Sequence, residues 1–132
     1  RTHLEGAAEA LAAQQGYAFH TGPEDGMAHT VRSYPAAWLA PLELHAVEGC
    51  GHGRATYDMT LHLLSSGARL SPTERRAALA RMEEQLLEIF AALSLDERVL
   101  AVEGLSVRPR AFALTPHGEI SQTAAARIVT FF

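Results

Sequence analysis

The chain has 132 residues, 48% of them apolar and 20% charged, a balance that fits a globular fold and argues against disorder. Its net charge is −4 and every basic residue is an arginine, so no basic surplus marks a nucleic-acid surface. The single cysteine, Cys50, excludes an intramolecular disulfide, and no apolar run nears the ~18 residues that a membrane-spanning helix needs.

The length predicts one domain with a core that needs neither metal nor disulfide. The absence of Lys and Asn beside abundant Ala reads as codon usage of a GC-rich genome before it reads as chemistry. Arg1 to Glu5 open an Ala-rich, acid-bearing stretch instead of the apolar core of a signal peptide. With the lone cysteine, this leads to the expectation of a reducing, cytoplasmic setting.

Residues 3–15 are predicted to be a helix: Leu4, Ala7, Ala8, Leu11 and Ala12 recur at helical spacing, and Gly16 follows where a C-terminal cap belongs. Tyr17 to His20 is a short strand candidate. Thr21-Gly22-Pro23-Glu24-Asp25-Gly26 is turn chemistry, expected to form a mobile loop to about Ala28. A short strand is expected from His29 to Arg32. Trp38 to Val47 reads as extended, with Pro41 pointing to an edge or a bulge.

Glu48 to Gly53 is a Gly-rich connection into the clearest strand. There Ala55, Tyr57, Met59, Leu61 and Leu63 alternate with Arg54, Thr56, Asp58, Thr60 and His62. Strict period two means one face on a core and the other in water. The two stretches around the Gly-rich turn make a β-hairpin.

Ser71-Pro72-Thr73-Glu74 carries a capping box and a proline at the first helical position. It opens a long helix to Leu93, whose stripe Leu79, Met82, Leu86, Ile89, Phe90 and Leu93 is expected to lie across the Arg54–Leu64 strand. Two more extended stretches follow, with Gly104 and Pro109 as kinks or bulges. They are joined by Thr115-Pro116-His117-Gly118, and the last runs from Ile120 to Phe132 to finish the sheet. Ala124-Ala125-Ala126 is unusual in a strand and points either to close approach of a helix or a neighbouring chain or, equally, to ordinary internal packing. Hairpins around single helices predict an α+β domain: a mainly antiparallel sheet of two long hairpins, one long helix packed on it, and an N-terminal helix.

Seven histidines invite a metal reading. The tightest cluster, His45, Glu48, Cys50 and His52, could fold around zinc, but only with an improvised geometry; the alternative is a Gly-rich turn whose polar residues face water. Gly49-x-Gly51-x-Gly53 lacks the ending of a P-loop and no helix follows it. Cys50 has His52 nearby but glycines on both sides, and no Gly-x-Ser-x-Gly elbow is present. The carboxylate pairs Glu24-Asp25, Glu83-Glu84 and Asp96-Glu97 read as solvated charges. No catalytic, cofactor or metal residue is therefore assigned.

Arg54, Asp58 and His62 share one side of the best strand. They could floor a cleft, serve as an interface or pore lining, or form a solvated sheet face. Arg108-Pro109-Arg110 is a small basic spot, too small for general nucleic-acid binding. These five residues, Arg54, Asp58, His62, Arg108 and Arg110, are the candidate interaction residues.

Three parts of the chain resemble the tail terminator group of phage tail-completion proteins. They are the N-terminal helix leading to Tyr34-Pro35-Ala36-Ala37-Trp38-Leu39, the strand Tyr57 to Leu64 leading into the long helix, and the closing hairpin around Pro116-His117-Gly118-Glu119 ending in Ile128-Val129-Thr130-Phe131-Phe132. The resemblance implies a non-enzymatic virion-assembly protein, found in the host cytoplasm and then in the virion. It would form a homo-oligomeric ring, commonly a hexamer, with the tail tube protein and the head–tail connector protein as partners and no direct nucleic-acid or membrane contact. The competing readings are a small α+β enzyme or ligand- or metal-binding domain using the His45–His52 loop or the Arg54/Asp58/His62 face, and an adaptor whose sheet edge pairs with a partner strand.

Overall fold

The computed structural model describes residues 1–49, 53–67, 69–110 and 118–131. Helix α1 (Thr2–Gln14) leads to strand β1 (Ala18–Thr21), a 3₁₀ turn (Glu24–Gly26), helix α2 (Met27–Thr30) and strands β2 (Ala36–Leu39), β3 (Glu43–Glu48) and β4 (Arg54–Ser65). Helix α3 (Pro72–Leu93) and strands β5 (Val99–Pro109) and β6 (Ile120–Phe131) complete the order. The class is α+β, with both long helices contributing to one core against a six-stranded sheet.

The sheet order is β1-β2-β4-β6-β5, and β3 pairs with β4 beside β2. All pairings are antiparallel except β1 with β2, which is parallel and makes the sheet mixed. The long partner of β4 is β6, in register from Arg54↔Phe131 to Ser65↔Ile120.

Local chemistry explains the helix ends. Gly16, at φ +88°, ends α1: its N–H bonds Ala13 O while Tyr17 N–H bonds Ala12 O. That is the paired pattern of a Schellman cap, which a left-handed glycine allows. At the start of α3, Ser71 Oγ accepts from Glu74 N–H and the Glu74 carboxylate accepts from Ser71 N–H. The expected capping box is thus present, with Pro72 in the first turn.

The main core joins Leu4, Ala8 and Ala12 of α1, Met82, Leu86, Ile89, Phe90 and Leu93 of α3, and the helix-side residues Met59, Leu61 and Leu63 of β4. Helix α3 lies closest to β6 and β5, not across β4 as its stripe suggested. The reason is the alanine run: Ala124 and Ala126 are buried on the helix side of β6, and their small side chains let the helix backbone come close. Gln122 takes part in the same seam, its amide donating to Leu79 O at 3.0 Å.

Four further expectations need correction. Thr21 to Ala28 is not a loop throughout, and His29 to Arg32 is not a strand; the segment folds into the 3₁₀ turn and α2. Burial decides this, because Met27 and Val31 are 1% and 0% exposed and pack with Trp38 in a second core cluster. Trp38 to Val47 is two strands, interrupted around Pro41, which has no N–H to give a ladder. The face of β4 opposite the helices is wet only along its first half; His62 and Leu64 are 1% and 0% exposed beneath the 24–31 segment. Of the two hairpin connections, Cys50, Gly51 and His52, and Thr115 to His117, lie outside the described residues, as does Phe132.

Candidate functional site

The side of the sheet away from α1 and α3 carries every candidate interaction residue that lies on a strand. Cross-strand partners share a face. One row therefore crosses the whole sheet: His20 on β1, Trp38 on β2, His62 on β4, Thr123 on β6 and Arg108 on β5. The row divides a covered zone from an open one.

In the covered zone, Trp38 is 2% exposed; its indole N–H donates to Gly22 O at 2.9 Å and its ring stacks on His20 at 6.0 Å. Beside it, His62 Nδ1 lies 2.7 Å from Thr123 Oγ1. His62 Nε2 faces the Glu24 carboxylate at 3.3 Å, an ion-pair distance whose angles fall outside a hydrogen bond. Burial pushes the imidazole pKa down, an effect that the Glu24 carboxylate opposes and the Arg110 charge reinforces. The net direction favours the neutral ring. The tautomer that suits both neighbours carries its proton on Nε2 and accepts from the threonine hydroxyl at Nδ1.

The arrangement holds the Glu24–Gly26 turn onto the sheet. A ring this buried does not meet solutes while that segment is seated. Glu24 and Thr123 were absent from the sequence-based candidates. Thr123 sits in the correct alternation on β6, but only the register brings it to His62.

The open zone is a shallow depression of about 700 Å³, lined by Glu43, Asp58, Thr60, Glu103, Ser106 and Arg127 among others. Three of these side chains are carboxylates and one is a guanidinium. Asp58 stands between His45, at 3.4 Å, and Arg127, at 3.6 Å, all substantially exposed. Such pairs contribute about 0–1 kcal/mol each. They make a polar surface.

Arg54, Asp58 and His62 do share a face, but they form no single site. Successive members are roughly 13 Å apart along the strand. Arg54 is exposed at the end of β4, Asp58 lies in the open zone and His62 is buried. Arg108 and Arg110 are exposed at and just beyond the end of β5. Among the described residues, no three His, Cys, Asp or Glu side chains converge as metal ligands, and no helix is long and apolar enough to cross a membrane. The zinc reading of His45, Glu48, Cys50 and His52 rests on residues half of which lie outside the described set.

No protein-family model matches the chain, and no curated protein matches it.

Proposed function

We propose that this chain is a non-enzymatic assembly protein of the phage tail terminator type. In this reading it forms a homo-oligomeric ring that caps a tail tube and offers a surface to a head–tail connector protein. The observation that carries it is an open polar sheet face lying between two strands that each have one unpaired edge among the described residues, β3 and β5. Such a face is suited to repetition around an axis, since a head-to-tail contact between identical chains closes into a ring when the rotation allows. The succession of N-terminal helix, long strand, long helix and closing hairpin supports the same reading, because the resemblance rests on that order.

Polymerising tail-tube subunits from the same genome provide the functional test. Added in stoichiometric amounts, the protein is expected to stop tube growth and to be seen at one end of the tube in particle images. Tubes of unchanged length with bare ends would remove the terminator reading.

A further inference from the structure

We propose that copies of this chain join edge to edge, the free edge of β3 in one copy pairing antiparallel with the free edge of β5 in the next. The inference rests on the ring reading above and names its contact surface.

Among the described residues, both edges are open. Strand β3 bonds only β4 there, and none of its six residues is buried. Strand β5 bonds only β6 among the same residues. The third edge strand, β1, is only four residues long, and short edges are one way to discourage pairing. The apolar content of the two longer edges runs the other way. Leu44 and Val47 of β3 are 50% and 51% exposed, and Leu100 and Leu105 of β5 are 42% and 36% exposed. Leu44 and Val47 lie on one side of the sheet, opposite Tyr57 and Ala55.

Direction and charge agree. Strand β3 is antiparallel to β4, whereas β5, two antiparallel steps from β4, runs parallel to it. Two copies placed side by side in the same orientation therefore bring β3 and β5 together antiparallel, extending one sheet from copy to copy. The charges of β3 are Glu43 and Glu48, with no arginine. Strand β5 itself carries Arg108 against Glu103, and Arg98 and Arg110 flank its two ends, so this edge has a positive surplus only with its flanks. Opposite net sign favours the heterologous β3-to-β5 contact over β3 meeting β3 or β5 meeting β5. Register irregularities at Leu44/Ala46 and Glu103/Ser106 interrupt each edge, so the regular pairing is short and association is expected to depend on concentration.

Charge reversal and mixing test the pairing. One variant carries E43R and E48R, the other R98E and R108E; all four positions are exposed, and circular dichroism checks that both variants fold. Each alone is expected to self-associate about tenfold or more weakly than the wild type, by light scattering over a concentration series. Mixed in equal amounts, they are expected to recover assembly, because each reversed edge then meets an edge of opposite sign on the other variant. Rings that tolerate both reversals, or a mixture no better than either variant, would overturn the edge pairing and leave the ring itself standing. A wild-type chain still monomeric at about 1 mM would overturn the pairing outright. Edge-paired rings that leave tube growth untouched would instead remove only the terminator role.

Discussion

The His62 imidazole meets the Thr123 hydroxyl at 2.7 Å across the β4–β6 pair, with the histidine 1% exposed and its far nitrogen turned toward Glu24. A buried strand residue thus meets its cross-strand neighbour and lies against the half-exposed carboxylate of the preceding helical turn. The Trp38 indole bond to Gly22 O ties the turn built from Gly22, Pro23 and Gly26 to the sheet beside that contact.

The pH dependence of stability follows from the ring's environment. Burial lowers the pKa of His62 in the folded chain below the ordinary 6.5. As pH falls below 6.5, the unfolded chain takes up a proton that the native ring resists, so native stability drops. The loss is complete once pH is below the native value, and above 6.5 the contribution is flat. His62→Gln is expected to remove this part of the slope. Urea unfolding of both proteins between pH 5 and 8 checks it; identical slopes would contradict the assignment.

Trp38 carries the other half of the covered zone. Trp38→Phe keeps an aromatic ring but leaves the Gly22 carbonyl without its 2.9 Å donor and reduces buried volume. The expected loss is about 1–3 kcal/mol. Backbone amide exchange should also quicken in residues 22–31 more than in α3, since the indole clasps that segment and not the helix.

Much of the fold was legible because its signals were local and periodic. The α3 capping box, the glycine ending α1, the alternation of β4 and the bulge at Gly104 each depend on a few neighbouring residues. What was not legible depended on burial from a distance. Met27 and Val31 turned an apparent loop and strand into helical structure because Trp38 offers them a pocket in the chain's second core. The same cover converted His62 from a wet-face residue into a buried one. The alanine run leaves a helix, a neighbouring chain and ordinary packing open as its reason; in the fold it is the helix, which lies over β6 instead of β4, a choice set by sheet order. Of the candidate residues, alternation found the right face of β4, but only the β4–β6 register brings Thr123 to His62, and only the fold of the 24–31 segment over the sheet brings Glu24 there.

Gly67 tests the closeness of the turn after β4. A Cβ there would lie 2.7 Å from Ile120 Cγ2 and 3.2 Å from the Ile120 backbone nitrogen. Gly67→Ala is expected to destabilise by about 1–3 kcal/mol, because the start of β6 must shift. Gly6, with nothing near its Cβ position and a helical setting, serves as the control: Gly6→Ala should stabilise by up to about 1 kcal/mol. Thermal denaturation of the two variants separates these signs.

Ala124 tests why α3 sits where it does. Its side chain is fully buried under the helix, in the strand register that faces the main core. Ala124→Leu adds volume that only movement of α3 can accommodate, at an expected cost of about 1–3 kcal/mol. Ala125→Leu, on the opposite face and half-buried, should cost less. Equal losses at the two positions would contradict the seam between α3 and β6.

Assembly is the central claim, and solution mass measures it most directly. Light scattering behind a sizing column, over a concentration series and with particle images of any large species, is expected to find a discrete closed ring growing at the expense of monomer. A single monomeric species at every concentration, with no closed particles, would contradict it.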